Sequence, residues 1–91
     1  MIRRRACVLG KVQMVGFRAH CEGAARRLCL IGWVRNMNDK VVELEVQGPE
    51  ILVKMFLKEV ETGSFSSKVR GLIVNRVPLG EETEFATRFD G

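Results

Sequence analysis

The stretch WVRNMNDKVVELEVQG, residues 33–48, carries two extended runs around a turn. In its second half Val42, Leu44 and Val46 alternate with Glu43, Glu45 and Gln47. A period of two puts the three aliphatic side chains on one face of a strand and the polar ones on the other, so the strand covers a core on one side. Asn38 and Asp39 suit a tight turn and Trp33 to Met37 extends ahead of them, which makes the whole stretch a β-hairpin.

Helical spacing flanks this hairpin on both sides. Phe17, Cys21, Ala24, Ala25 and Leu28 recur at a helical period, with Arg18, Glu22, Arg26 and Arg27 mostly on other faces, and Gly32 is expected to end the segment. Gly48 and Pro49 open a second helix, proline standing where its missing N–H is not needed. Ile51, Leu52, Met55, Phe56 and Val60 supply its apolar stripe until Gly63. A strand is expected over Arg5 to Val12 and another over Val69 to Val77, with SFSS as a loop and PLGEET as a turn-rich connection. Phe85, Thr87 and Phe89 alternate in a short final strand suited to a sheet edge. The order βαββαβ plus a short final strand implies an α+β protein. The expected fold is a ferredoxin-like α/β sandwich, one antiparallel sheet with two helices on one face.

Ninety-one residues give room for one core, so residues 1–91 are expected to form one domain. Hydrophobic residues at 46% and charged residues at 29% are globular proportions. Fifteen lysines and arginines against 11 acids give +4, an excess that favours anionic partners without selecting nucleic acid. No apolar run approaches the roughly 20 residues of a spanning helix, and MIRRRACVLG has too short an apolar region for a signal peptide. A cytoplasmic protein with no membrane partner is expected. Cys7, Cys21 and Cys29 are odd in number and lack CxxC or paired-histidine spacing, so they read as buried reduced thiols and no metal or other cofactor is expected. His20 reads as a solvated helix residue, Trp33 as a core or rim aromatic, and Arg3, Arg4 and Arg5 as a solvated terminus.

Chemistry concentrates at GKVQMVGFR, residues 10–18, the turn between the first strand and the first helix. Backbone N–H groups of Gln13, Met14, Val15 and Gly16, between Val12 and Phe17, lack strand or helix partners, and such a row at a helix N-terminus is an anion cradle. Arg18 stands in the first helical turn, where a cation opposes the helix dipole; an anion between them removes the conflict. Its guanidinium fork matches two oxygens of a phosphate. The residues alone leave this reading level with a plain surface arginine after a glycine turn. Asn36 can position a water through its amide, but the residues alone favour the plainer reading, in which it begins the hairpin turn with Asn38.

Two stretches together carry a family resemblance. GKVQMVGFR resembles the G-x-V-Q-G-V-x-F-R signature of the acylphosphatase family, and GWVRNMNDKVVELEVQG, residues 32–48, resembles its second signature. The likeness extends over essentially the whole chain. It implies hydrolysis of the carboxyl-phosphate bond of small acyl phosphates to carboxylate and inorganic phosphate, without metal or covalent intermediate. Arg18 and the N–H groups of Gln13 to Arg18 would hold the phosphoryl group, and Asn36 would position the attacking water. The substrate phosphate itself would take the proton.

Two positions depart from the signatures. Met14 replaces a glycine, and a side chain at a positive φ costs about 1 kcal/mol or more. Lys40 replaces another, so Asn38 or Asp39 is expected to take the left-handed conformation in its place. Turnover below the family norm is the expectation, and the alternative is a catalytically weak or inactive phosphate- or carbamoyl-phosphate-binding module. An RNA-binding domain of this fold would expose aromatics on its central strands, where this chain has valines and glutamates and no tyrosine, so no nucleic-acid partner is expected. Nothing in the sequence repeats an apolar stripe for self-association, which favours a monomer.

Overall fold

The computed structural model describes residues 1–13, 16–38, 40–64 and 67–89. Five strands and two helices follow in the order β1 (Ile2–Lys11), α1 (Phe17–Arg27), β2 (Ile31–Asn38), β3 (Val41–Gly48), α2 (Glu50–Thr62), β4 (Lys68–Arg76) and β5 (Phe85–Arg88). They form one sheet in the order β4-β1-β3-β2-β5. Each helix crosses over to a strand two places away and leaves a gap that a strand from the other crossover fills, so two split βαβ units interlock. The three pairings among β1 to β4 are antiparallel, as expected; β5 adds itself beside β2 in parallel, making the sheet mixed rather than wholly antiparallel.

Register explains the layers. Ala6 pairs with Leu44, Val8 with Val42 and Val34 with Leu44, so the aliphatic residues of three strands fall in rows on one face. The buried side chains of both helices cover that face: Phe17, Cys21, Ala24 and Ala25 from α1, and Val53, Phe56 and Val60 from α2. Phe56 meets Phe85 of the edge strand with ring centroids 5.7 Å apart, a tilted arrangement that anchors β5 to the core.

The other face is a charged lattice without a helix above it. Arg5 stands opposite Glu45, and Arg35 opposite Glu43. Glu43, only 3% exposed, accepts hydrogen bonds from Arg5 and, at 2.8 Å, from Arg35 Nε. Arg3 donates to Glu45 at 2.7 Å, Glu82 at 2.8 Å and Gln47 at 3.0 Å. Trp33 is 8% exposed and has Arg35 and Arg88 over its ring at 5.5 and 4.7 Å.

Several local expectations are corrected. Arg3 to Arg5 are not a solvated terminus: β1 begins at Ile2, and Arg3 is 3% exposed because glutamates of the neighbouring strand and loop neutralise it. Gly32 does not end α1 but lies inside β2. The helix stops at Arg27, and Cys29, at φ 57°, supplies the left-handed residue while Leu30 N–H donates back to the Ala25 carbonyl at 2.9 Å. Consequently Cys29 is exposed and Cys7 half-buried, leaving Cys21 as the buried thiol. His20 is half-buried, with Nε2 3.2 Å from the Glu59 carbonyl oxygen of α2. In the hairpin Asn38 does not take a positive φ; its Oδ1 accepts the Lys40 N–H at 3.0 Å, and Asp39 lies outside the described residues.

Burial opposes ionisation of Glu43, but the hydrogen bonds and charges of Arg35 and Arg5 outweigh it and hold its carboxyl below the usual carboxylate range. A carboxyl depressed on folding stabilises the protein above its unfolded pKa, and that contribution disappears as pH falls through the folded value. Glu43→Gln should therefore lose about 2 kcal/mol at neutral pH. In urea titrations at a series of pH values, the variant should also decline less steeply than the wild type below about pH 4.

Substituting Cys29 by glycine removes the strain of a side chain in the left-handed region and should raise stability by about 0.5–1 kcal/mol in the same urea assay.

Candidate active site

At the end of β1 the chain turns into α1 through Gly16, whose φ of 75° and ψ of 15° are left-handed. A glycine takes this conformation without a Cβ penalty, and a Cβ built there would meet nothing within 4 Å. Backbone conformation, not crowding, makes the position glycine. The first intrahelical bond runs from His20 N–H to the Gly16 carbonyl at 2.9 Å, so the N–H groups of Phe17, Arg18 and Ala19 have no acceptor within the helix. No side chain caps them, and the first turn holds no acidic residue. Phe17 contributes through its backbone: its side chain is 1% exposed and belongs to the core.

A pocket of about 470 Å³ opens beside this helix end. Gly16, Phe17, Arg18, Ala19 and Glu22 line one side, and Val12, Ala86, Thr87 and Phe89 the other. Among the described residues no carboxylate pairs with Arg18; its guanidinium carbon lies 5.1 Å from the centre of the Phe89 ring. Glu22 is turned away from it, accepting hydrogen bonds from the Thr87 N–H at 3.2 Å and the Thr87 hydroxyl at 3.3 Å. That tie joins α1 to β5 and keeps Glu22, the only acidic residue among the described lining residues, occupied.

Gln13 is placed differently from the cradle residues. Its Nε2 donates to the carbonyl oxygens of Val41, at 3.0 Å, and of Asn38, so it fastens the turn to the β2–β3 hairpin. Asn36 pairs with Val42 and stands on the helix-covered face of β2. It does not line the pocket. Val34, two residues before it, pairs with Thr87 of the pocket wall, and the next step of that parallel register leads from Asn36 toward Phe89. Its Oδ1 is buried without a hydrogen-bond partner among the described residues. Met14 and Val15 lie outside the described residues.

The sequence reading missed Thr87, Glu22 and Phe89 as neighbours of Arg18. Alternation announced the strand that carries Thr87, but its parallel docking beside β2 is a long-range contact with no local signature. Nucleophilic chemistry through Cys21 is unfavourable, because burial pushes its thiol up to about 12. Among the described residues no group of three or more His, Cys, Asp or Glu side chains is placed to hold a metal ion.

Comparison with known proteins places this geometry. The family profile described as Acylphosphatase matches residues 4–90. The chain belongs to the acylphosphatase family. An acylphosphatase of Clostridium beijerinckii is 40% identical over 98% of this chain and 100% of its own length. One of Geobacillus thermodenitrificans is 38% identical over 100% of this chain and 98% of its own. The crystal structure of the acylphosphatase from Bacillus subtilis superposes with a TM-score of 0.93 at 36% identity, covering 97% of this chain and 99% of that one. Hydrolysis of acyl phosphates is the activity of the acylphosphatase family, and it matches a pocket that offers backbone donors and one unpaired guanidinium to an anion.

Native protein treated with a thiol-reactive chromogenic disulfide should modify Cys29 rapidly and Cys21 only on unfolding. The two-phase colour release, with Cys29→Ala removing the fast phase, checks this.

Proposed function

We propose that this protein hydrolyses small acyl phosphates at the α1 N-terminus. The observation that carries the proposal is Arg18, a guanidinium without a carboxylate partner among the described residues, facing a pocket beside uncapped first-turn N–H groups. Phosphoryl oxygens accept hydrogen bonds from the backbone of the turn through Gln13, Met14, Val15, Gly16, Phe17 and Arg18, and from the Arg18 fork. The uncapped first-turn N–H groups of α1 stand ready before substrate arrives, and the donors together stabilise charge that spreads over the phosphoryl group in the transition state. Gln13 supports the same turn by holding it against the hairpin.

The carboxylate of an acyl phosphate is a good leaving group, so positioning supplies most of what catalysis needs. Asn36 orients the attacking water: Oδ1 accepts one of its protons while a lone pair points along the phosphorus–carboxylate oxygen axis. The buried, unpartnered Oδ1 supports this role, since such an atom is costly unless something completes it. Water adds as the phosphorus–oxygen bond to the carboxylate breaks, and a phosphoryl oxygen takes the proton, giving carboxylate and inorganic phosphate. No side-chain general base is used in this scheme.

Residues 1–91 act as one domain and as a monomer in this proposal. Three unpaired cysteines suit the reducing cytoplasm. Among the described residues no helix is long and apolar enough to cross a membrane. Lys40 does not take a positive φ, so its replacement of the signature glycine introduces no strain of that kind in the hairpin.

Arg18→Ala and Asn36→Ala should each lower kcat/KM for benzoyl phosphate by about a hundredfold or more, the scale for losing a transition-state donor. Urea midpoints should stay near the wild-type value. Wild-type hydrolysis no faster than buffer would overturn the enzymatic reading, and phosphate binding without turnover would replace it with a binding module.

A further inference from the structure

A second cationic site lies at the same sheet end, on residues the hydrolytic scheme does not use. Lys11 from β1, Lys40 from the hairpin turn and Arg70 from β4 line a cleft of about 420 Å³ together with Leu9 and Gly10. All three cations are exposed, and among the described residues none makes an ion pair. Three unpaired positive charges around one small concavity repel one another unless an anion joins them.

The backbone is shaped to make this cleft. Leu9 pairs with Gly71 and Gly10 with Val69, so β4 carries one extra residue, Arg70, as a β-bulge. A bulge re-aims the side chain of the extra residue, and here it is the arginine that enters the cleft. Gly10, at φ 133°, accommodates it: a Cβ there would collide with the Lys68 carbonyl and the Arg70 backbone. The next register pair sets Lys11 opposite Lys68, like charges facing across two strands, an arrangement unfavourable by itself and relieved by a bound anion.

We propose that this cleft binds a small ligand carrying two or more linked phosphate groups. Its volume matches one small ligand. Its three cations come from three separate elements around a cleft of about 420 Å³, a spread of positive charge that suits a ligand with more than one phosphate. Among the described lining residues no aromatic side chain offers a stacking surface, so recognition rests on the phosphates. Binding also ties β4 and β1 to the hairpin: the Gly10 N–H already donates to the Lys40 carbonyl at 3.4 Å, and the hairpin continues into the strand of Asn36.

Calorimetric titration with tripolyphosphate in magnesium-free buffer tests the site in wild type, in Lys40→Gln/Arg70→Gln and in Arg18→Ala. Saturable binding is expected in wild type and Arg18→Ala, at least tenfold weaker in the double variant and weakening as sodium chloride rises. ATP binding as tightly as tripolyphosphate assigns the site to any ligand with a polyphosphate tail; tripolyphosphate alone binding restricts it to free polyphosphate. No binding, or binding abolished by Arg18→Ala and untouched in the double variant, overturns the proposal. Because Arg18→Ala lacks the hydrolytic arginine, failure here is separable from failure of the proposed activity.

Discussion

The two-faced strand β3 is the constraint from which the remaining architecture follows. It is hydrogen-bonded to β1 on one side and β2 on the other. Val42, Leu44 and Val46 are fully buried on its helix-covered face, while Glu43, Glu45 and Gln47 face the arginines of β1 and β2. A shift of one residue would bury the glutamates among aliphatic side chains and expose the valines, so the register has one acceptable value. With β3 set, the two crossovers have only one covered face available, and both helices occupy it.

That arrangement brings the start of α1, the β2–β3 turn and the start of β4 to one end of the sheet. The pairing is irregular there. A register shift between Asn36 and Asn38 interrupts β2, and another after Leu9 interrupts the β1–β4 ladder. Regular ladders satisfy every backbone group and leave nothing for a ligand; the irregular end is where left-handed Gly16, the buried Asn36 amide oxygen and the bulged Arg70 occur. The regular part of the sheet carries the core, and its irregular end carries the residues proposed for the site.

Arg18 illustrates how a local conflict becomes a site. A cation at a helix N-terminus opposes the dipole, and no capping side chain or first-turn acid relieves it. Glu22, one turn along, is taken up by Thr87. Phe89 lies against the guanidinium, whose carbon is 5.1 Å from the ring centre, and an aromatic ring attracts the cation without neutralising its charge. Family membership and this local electrostatic imbalance point to the same anion.

Legible in the sequence were the features that depend on neighbours along the chain: the alternation of VVELEVQG, the helical spacing from Phe17 and from Ile51, the glycine turn before Arg18, and both signature stretches. Period and turn chemistry are local, so residues close in sequence are sufficient to state them. Burial of Arg3, the stop of α1 at Cys29, parallel addition of β5 and the Arg70 bulge depended on pairings between residues distant in the chain. A guanidinium enters the interior of a sheet face only when carboxylates from other segments meet it, and β5 is held beside β2 in part by Phe85 packing on Phe56 of the distant α2. Tertiary structure alone decided those, because hydrogen-bond partners and neutralising charges are supplied by the fold and have no trace in the spacing of residues.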